Sequence, residues 1–204
     1  TIVPYLTESY GSQVDPPETN IPMCTIHNFP SNIDHCCMWA RDKFTGLFEQ
    51  QPKAVNALFN SEKGGPLETM NNLKHTQKDI LTQSLAAVEK LFKTEKCTTY
   101  EDCIKWARML FENLFNYSIR DLQHQFPRDY ISSDGLPFWS GKKRYPEVQV
   151  YDPSNPYHAE FIKSAADIRA RILEIPIEDN AAERAAQITV PEWSPSGKKI
   201  KLED

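Results

Sequence analysis

Five cysteines are the residues of this 204-residue chain best suited to covalent chemistry, and Cys24 differs from the other four in its setting. It lies between Pro22 and Pro30, outside any periodic pattern and seven residues before the start of a predicted helix. A thiol on an irregular segment can meet a large partner, and a nearby cation or helix start favours the nucleophilic thiolate. His27 is the nearest candidate cation. Position alone makes Cys24 a candidate nucleophile, with an incidental loop cysteine as the alternative.

The other four cysteines are predicted to be structural or inert. Cys37 and Cys103 fall on the apolar stripes of two predicted helices, where a free thiol packs as a small hydrophobic group. Cys36 lies beside the first of these stripes. Cys97 lies in a polar connector close to lysines, and it is predicted to be an inert surface thiol.

Two further site types could use some of the same residues. A zinc site would use Cys24, His35, Cys36 and Cys37, but two adjacent helical cysteines point in different directions and the chain has no C-x-x-C pair. A papain-like site would pair Cys24 with a distant histidine, but no protease signature surrounds it. The sequence therefore predicts no metal site.

Composition excludes several classes of protein. The net charge of -5 gives no sign of a nucleic-acid surface, and no run approaches 18 apolar residues, so neither nucleic acid nor membrane is an expected partner. Neither glycine-rich phosphate-binding fingerprint is present, so we expect no nucleotide cofactor in this chain. An odd number of cysteines without a visible secretion signal predicts free thiols in a reducing compartment.

The first strong helical pattern begins at Pro30. Ser31 is predicted to cap this helix, Asp34 suits a capping box, and Pro52 lies just past the predicted end. Its apolar residues recur at steps of three and four. They are Ile33, Cys37, Ala40, Phe44, Leu47 and Phe48.

Residues 66–93 read as two shorter helices, and Thr99 with Asp102 predicts a cap for a second long helix. The second short helix has a predicted face of Leu81, Leu85, Val88 and Phe92, and the long helix has a stripe of Cys103, Ala107, Leu110, Phe111 and Leu114. The two long helices resemble each other at an offset of 67 positions. We interpret them as two similar amphipathic helices packed in one bundle.

The rest of the chain is predicted to contain a loop over 132–150, a helix opening at Asn155-Pro156 and a short helix within 181–187. Both ends are rich in proline and lack apolar periodicity. The predicted fold is mostly α, an irregular multi-helix domain with extended, proline-rich N- and C-terminal linkers and little or no β. The predicted boundaries are a linker over 1–22, a helical domain over 23–189 and a return linker over 190–204, a pattern that suits insertion into a larger host.

Several distinctive blocks resemble the second catalytic-cysteine half-domain of ubiquitin-activating enzymes, in the family's order and over nearly the whole chain. The first three blocks are Leu6-Thr7-Glu8-Ser9-Tyr10, Asp15-Pro16-Pro17-Glu18 and Ile21-Pro22-Met23-Cys24-Thr25, followed by Asn28-Phe29-Pro30. The later blocks are Trp39-Ala40-Arg41-Asp42, Pro137-Phe138-Trp139-Ser140-Gly141-Lys142-Lys143-Arg144 and Pro191-Glu192-Trp193-Ser194-Pro195.

The resemblance implies that Cys24 is the catalytic residue. It would form a thioester with the C-terminus of ubiquitin after ATP- and magnesium-dependent adenylation in another domain, and then pass ubiquitin to a conjugating enzyme. Thr25 follows the nucleophile as in the family and would hydrogen-bond near the thioester, while Asp204 matches an acidic position without an implied role. His27 departs from the family's usual Lys or Arg, so a permanent cation beside Cys24 is not implied.

The implied partners are ubiquitin, ubiquitin-conjugating enzymes and an adenylation domain of the same chain, and the implied location is the cytoplasm and nucleus. Two alternatives stay open. The chain could be a non-catalytic helical adaptor that docks ubiquitin-like or conjugating proteins, which would have no need of an accessible Cys24. It could also act on a different ubiquitin-like modifier.

Overall fold

The computed structural model describes residues 29–59, 65–76 and 78–200, and in these ranges the chain is mostly α-helical, as predicted. The α-helices are α1 (Ile33–Thr45), α2 (Gln51–Phe59), α3 (Pro66–Thr76), α4 (Lys78–Glu89), α5 (Tyr100–Glu112), α6 (Ser118–Gln125), α7 (Pro156–Ile172) and α8 (Ala181–Ala186). Five-residue π-helical turns follow α1, α4 and α5 at Gly46–Gln50, Lys90–Thr94 and Asn113–Tyr117. Within the described ranges, strand pairing is limited to one isolated bridge between Ile131 and Pro137.

Helix α5 is the centre of the main core. The predicted cap is confirmed, because the Thr99 side chain accepts a hydrogen bond from the Asp102 N–H at 3.2 Å and the Asp102 carboxylate accepts one from the Thr99 N–H at 3.0 Å. Cys103, Ala107 and Phe111 on its predicted stripe are buried. They pack mainly against α7, and α8 closes the same core.

The start of α1 lies one residue later than predicted. Asn32, not Ser31, is the N-cap, and its side-chain oxygen accepts a hydrogen bond from the His35 N–H at 2.9 Å. Ser31 contributes in another way, since its backbone N–H donates to His35 Nδ1 at 3.2 Å. Ser31 and Asn32 both have side chains that can cap a helix, and the extended backbone of Asn32 places it at the N-cap.

The chain stays helical beyond the predicted end, because α1 is followed by a π-helical turn and then by α2, and Pro52 lies in the first turn of α2. Proline has no N–H to donate to the carbonyl four residues earlier, which normally breaks or kinks a helix. Here the preceding turn widens into the π-helical segment Gly46–Gln50, in which the Gln51 N–H bonds to the Gly46 carbonyl. The wider turn lets the chain carry proline while remaining helical.

The predicted stripe of α1 is only partly buried, which corrects the prediction from its periodicity. Ile33 and Phe44 are 73% and 53% exposed, and Cys37 and Ala40 are exposed as well. Only the end of the stripe, Leu47 with its neighbour Phe48, packs against the main core.

A smaller second layer pairs α2 with α4. The predicted face of α4 is wrong in part, since Leu85 and Phe92 are exposed. The buried face lies one position earlier and contains smaller side chains. Its residues are Ser84, Ala87 and Leu91.

The two long helices form a structural repeat at the offset read from the sequence. Adding 67 to the bounds of α1 and its π-helical turn gives the bounds of α5 and its turn, residue for residue. Their aromatic rings contact each other across the interface, so the interpretation as two similar helices packed together is confirmed.

The other local predictions in this half of the chain also hold. Asn155 caps α7 by accepting a hydrogen bond from the Tyr157 N–H at 3.0 Å, and Pro156 occupies the first turn. The predicted loop and the short last helix are both present.

Candidate functional site

The predicted site residues Cys24, Thr25 and Asp204 lie outside the described residues, and so does His27. Their roles stay predictions. The structure does describe the contacts of the residues nearest to them in the chain, from Phe29 onward and up to Ile200.

Phe29 is held by a cluster of aromatic rings, which we call the aromatic cluster (Phe29, Phe126, Tyr130, Phe138, Trp139 and Tyr145). The Phe29 ring meets Phe138 and Trp139 edge-on, with ring centroids 5.6 Å and 6.0 Å away. Phe126 and Phe138 are buried and stacked, with centroids 4.4 Å apart. Edge-to-face and offset contacts of this kind add to the free energy gained by burying aromatic surface, so the position of Phe29 is well defined.

Trp139 fixes the loop that carries half of this cluster. Its indole N–H donates to the Phe126 and Pro127 carbonyls at 2.9 Å and 3.0 Å. The tryptophan therefore ties the loop over 132–150 to the end of α6.

The aromatic cluster has a cationic rim. Lys143 Nζ lies 4.4 Å from the Phe138 ring centroid and 5.5 Å from that of Phe29, and the Arg128 guanidinium lies 4.9 Å from the Tyr145 ring. These two cations line an open cavity of about 470 Å³ with Arg144, and no carboxylate is among the described residues lining it. Positively charged groups therefore face solvent beside the anchor of Phe29.

The return segment 190–200 runs along one face of α6 and its preceding turn. Asp121 Oδ1 accepts hydrogen bonds from the Trp193 indole at 3.1 Å and the Ser196 N–H at 3.2 Å. Gln125 accepts from the Ile200 N–H at 2.9 Å and donates to the Ile200 carbonyl at 3.1 Å. Tyr117 donates its hydroxyl to the Pro191 carbonyl.

These three side chains are spaced four residues apart, so they share one helical face and form a clamp for an extended strand of backbone. Partial burial raises the pKa of Asp121, but the hydrogen bonds from Ser196 and Trp193 outweigh burial and hold its pKa below the ordinary value. Sequence reasoning missed this clamp. Its only signal was a polar residue at every fourth position along α6 and the turn before it.

Both described ends of the chain meet at the aromatic cluster. Phe29 and Ile200 each pack against the same buried group of Leu122, Phe126 and Phe138.

The four described cysteines are placed differently from the prediction in two respects. Cys103 is fully buried, as expected, but Cys37 is exposed, because the stripe of α1 on which it lies is largely uncovered. Cys36 is exposed as well. Cys97 is half-buried against the main core rather than a simple surface thiol.

Two features are absent from the described part of the chain. No group of three or more His, Cys, Asp or Glu side chains there is placed to hold a metal ion. None of its helices is long and apolar enough to cross a membrane.

Residues 30–204 match the family model described as the SCCH domain of ubiquitin-activating enzyme. The chain belongs to this family. This family model therefore represents the second catalytic-cysteine half-domain that the sequence resembles. The described helices and loops show the structure of that domain in this chain.

Curated relatives agree with the family match. The chain is 40% identical over 201 residues to ubiquitin-activating enzyme E1 1 of Arabidopsis thaliana, covering 96% of this chain and 18% of that protein. It is 41% and 38% identical to ubiquitin-like modifier-activating enzyme 1 of Dictyostelium discoideum and of Homo sapiens, over 206 and 207 residues and 99% and 100% of this chain. It spans 19% of each of those two proteins. This SCCH domain thus corresponds to about a fifth of the relatives it matches.

Proposed function

We propose that this SCCH domain forms a thioester between Cys24 and the C-terminus of ubiquitin, and passes ubiquitin to the cysteine of a conjugating enzyme. The observation that carries the proposal is the family match beginning at residue 30, with Cys24 on the segment that leads directly into it. The description of the matching family and the name of the Arabidopsis thaliana relative support ubiquitin as the modifier.

The chemistry assigned to this chain is acyl transfer to sulfur. The Cys24 thiolate attacks the carbonyl carbon of a carboxyl group already activated as an acyl adenylate, a C–S bond forms, and the bond to the adenylate oxygen breaks with release of AMP. In the second transfer, a thiolate of the conjugating enzyme attacks the same carbon and Cys24 leaves as thiolate. A cysteine suits both steps because sulfur attacks and leaves readily.

ATP and magnesium are not expected to bind here. The chain lacks both phosphate-binding fingerprints, and no metal-holding cluster lies in its described part. Adenylation is accordingly assigned to another region of the longer protein, and no step proposed for this chain uses either group.

The described residues support positioning of Cys24. It lies five residues before Phe29, and five residues of fully extended chain span no more than about 18 Å. Anchoring Phe29 on the aromatic cluster therefore restricts the volume that Cys24 can reach. Lys143 and Arg128 form the cationic rim of the cluster that anchors Phe29. A cationic group within about a Debye length of a cysteine, roughly 8–10 Å, favours its thiolate over its thiol.

The direct test is Cys24→Ala in the full-length enzyme. We expect ATP–pyrophosphate exchange, which reports adenylation, to stay at the wild-type rate, and the ubiquitin thioester seen on non-reducing gels to disappear. Cys37→Ala is the matched control, since it removes an exposed thiol of the same domain.

The control variant should retain both activities. A ubiquitin thioester that persists in Cys24→Ala would exclude Cys24 as the nucleophile. If conjugation is normal in that variant as well, the result favours the adaptor role.

A further inference from the structure

Three exposed cations line the open cavity of about 470 Å³ beside the anchor of Phe29, which we call the cationic cavity. Its cations are Arg128, Lys143 and Arg144. Within residues 29–59, 65–76 and 78–200, none of these three forms an ion pair. By contrast, the side chains of Arg108, Arg169 and Arg184 each contact a carboxylate. The positive charge of the cationic cavity is therefore not balanced by any described residue.

Aromatic rings, rather than carboxylates, hold two of these cations in place. Lys143 Nζ lies over the rings of Phe138 and Phe29, and the Arg128 guanidinium lies over the ring of Tyr145. A cation stacked on a ring face keeps N–H donors for an anion at its side. Because these contacts already order the side chains, pairing with an anion costs less side-chain entropy than it would for an unrestrained lysine or arginine.

The turn that carries Lys143 depends on a glycine. The Lys143 N–H donates to the Ser140 carbonyl at 3.0 Å, and Gly141 has a φ of 61°. This left-handed conformation is strained for residues with a Cβ, so glycine suits the position. Lys142 lies in the same turn but does not line the cationic cavity. The turn thus gives two adjacent lysines different surroundings.

The segment that precedes Phe29 carries the opposite charge. Residues 1–28 contain three carboxylates and no Lys or Arg. Two of the three, Asp15 and Glu18, flank the pair Pro16-Pro17. Consecutive prolines favour the polyproline II conformation, in which three residues complete a turn of about 9 Å. Carboxylates three positions apart in such a segment share one side, as a ligand for several neighbouring cations requires.

The acidic pair is tethered close to the cationic cavity. Ten residues, 19–28, separate Glu18 from Phe29, whose ring centroid is 5.5 Å from Lys143 Nζ. An extended chain of that length spans up to about 36 Å, so it reaches the cavity with slack to spare. A short tether gives an effective concentration of roughly millimolar, an advantage that an acidic segment on another molecule does not have.

We propose that the cationic cavity binds the acidic pair Asp15 and Glu18 of its own chain through charge-assisted hydrogen bonds. Docking would close residues 19–28 into a loop held at both ends, by the aromatic cluster at Phe29 and by the cationic cavity at Glu18. Cys24 lies near the middle of that loop. The proposal concerns how this segment is held, and it does not depend on the reaction proposed for Cys24.

The first test is zero-length carbodiimide cross-linking of the full-length enzyme, followed by peptide mapping. The reagent joins a carboxylate to a lysine amine only where the two groups are in contact. We expect cross-links between residues 15–18 and Lys143, at a yield about fivefold higher than for the neighbouring Lys142. Equal yields at the two lysines, or cross-links from Lys143 only to carboxylates elsewhere, overturn the proposal.

The second test removes the two charges from the acidic pair and leaves every described residue unchanged. In the double variant Asp15→Asn with Glu18→Gln, we expect hydrogen–deuterium exchange over 15–28 to become about threefold faster or more, because docking no longer protects the amides. Glu8→Gln is the matched control, since it removes the third carboxylate of the same segment. Exchange at the wild-type rate in the double variant overturns the proposal.

A charge exchange tests the cavity from its other side. Arg144→Glu should also speed exchange over 15–28, Lys142→Glu should not, and adding Glu18→Arg to Arg144→Glu should return the rate to within about twofold of wild type. Circular dichroism checks the fold of the loop variants, and the acidic double variant decides if they do not fold. Faster exchange in Arg144→Glu without an effect of the acidic double variant would assign the cavity to an acidic segment of another molecule, which overturns the proposal.

Discussion

The rings of Trp39 and Phe115 lie with their centroids 6.0 Å apart, and the same contact recurs with the helices exchanged. Sixty-seven positions after Trp39 stands Trp106, and its ring lies 5.9 Å from that of Phe48, the counterpart of Phe115. The interface between the two long helices is therefore reciprocal. Each helix contributes its tryptophan to one contact and its phenylalanine to the other.

The repeat offers a matched pair of substitutions for measuring burial. Phe111 is 2% exposed and contacts the rings of Phe115, Tyr151 and Phe161, whereas its counterpart Phe44 is 53% exposed. We expect Phe111→Ala to lower the free energy of unfolding by about 3–5 kcal/mol and Phe44→Ala to lower it by less than about 1 kcal/mol. Urea unfolding of the chain measures both. Equal losses would show that the face of α1 is covered in solution.

The capping box of α5 gives a pH-dependent contribution to stability. Hydrogen bonds from the Thr98 backbone and from Thr99 lower the pKa of Asp102 from 3.8 to about 2. A carboxyl whose pKa falls on folding stabilises the protein above its unfolded pKa, and the contribution is lost as the pH falls through the folded value. The window therefore lies between about pH 4 and pH 2.

We expect Asp102→Asn to lower the free energy of unfolding by about 1 kcal/mol at pH 6, and the gap to wild type to narrow as the pH approaches 2. Urea midpoints at pH 6, 4, 3 and 2.5 measure the gap. Asp34→Asn is the control, since this exposed carboxylate lies in the first turn of α1 without forming the cap. A gap that is constant over the series would contradict the assignment.

The clamp on the return segment predicts a local effect of Asp121→Ala. Loss of the two hydrogen bonds from Trp193 and Ser196 should raise amide exchange over 190–200 and lower the free energy of unfolding by about 1–2 kcal/mol. Hydrogen–deuterium exchange with peptide resolution measures the first effect. Asp129→Ala, at an exposed position beyond α6, should leave the segment protected. Unchanged exchange in Asp121→Ala would show that the clamp is not what holds the segment.

The anchor of Phe29 connects the fold to the proposed function. In the full-length enzyme, Phe29→Ala should slow ubiquitin thioester formation roughly 3- to 10-fold without changing ATP–pyrophosphate exchange, because it loosens the segment that carries Cys24. The exposed Phe59 provides the control substitution Phe59→Ala. Single-turnover thioester assays compare the variants. A wild-type rate for Phe29→Ala would mean that other contacts position Cys24.

The sequence by itself determined those features that depend on neighbours along the chain. Thr99 with Asp102 and Asn155 with Pro156 begin helices because capping groups act within one turn. The mostly helical fold, the repeat at offset 67 and the family resemblance could also be seen in the residues alone. Local patterning of this kind does not require knowledge of what packs where.

Only the tertiary structure decided which of two similar helices is covered. The stripes of α1 and α5 follow the same pattern, yet α7 packs on α5, so Cys103 is buried and Cys37 is exposed. For the same reason Cys97 is half-buried rather than a surface thiol, because it packs against the core cluster that contains Cys103. The clamp joins Asp121 to Ser196, 75 positions later. Periodicity shows that a helix has an apolar face, but which surface covers that face depends on contacts between residues far apart in the chain.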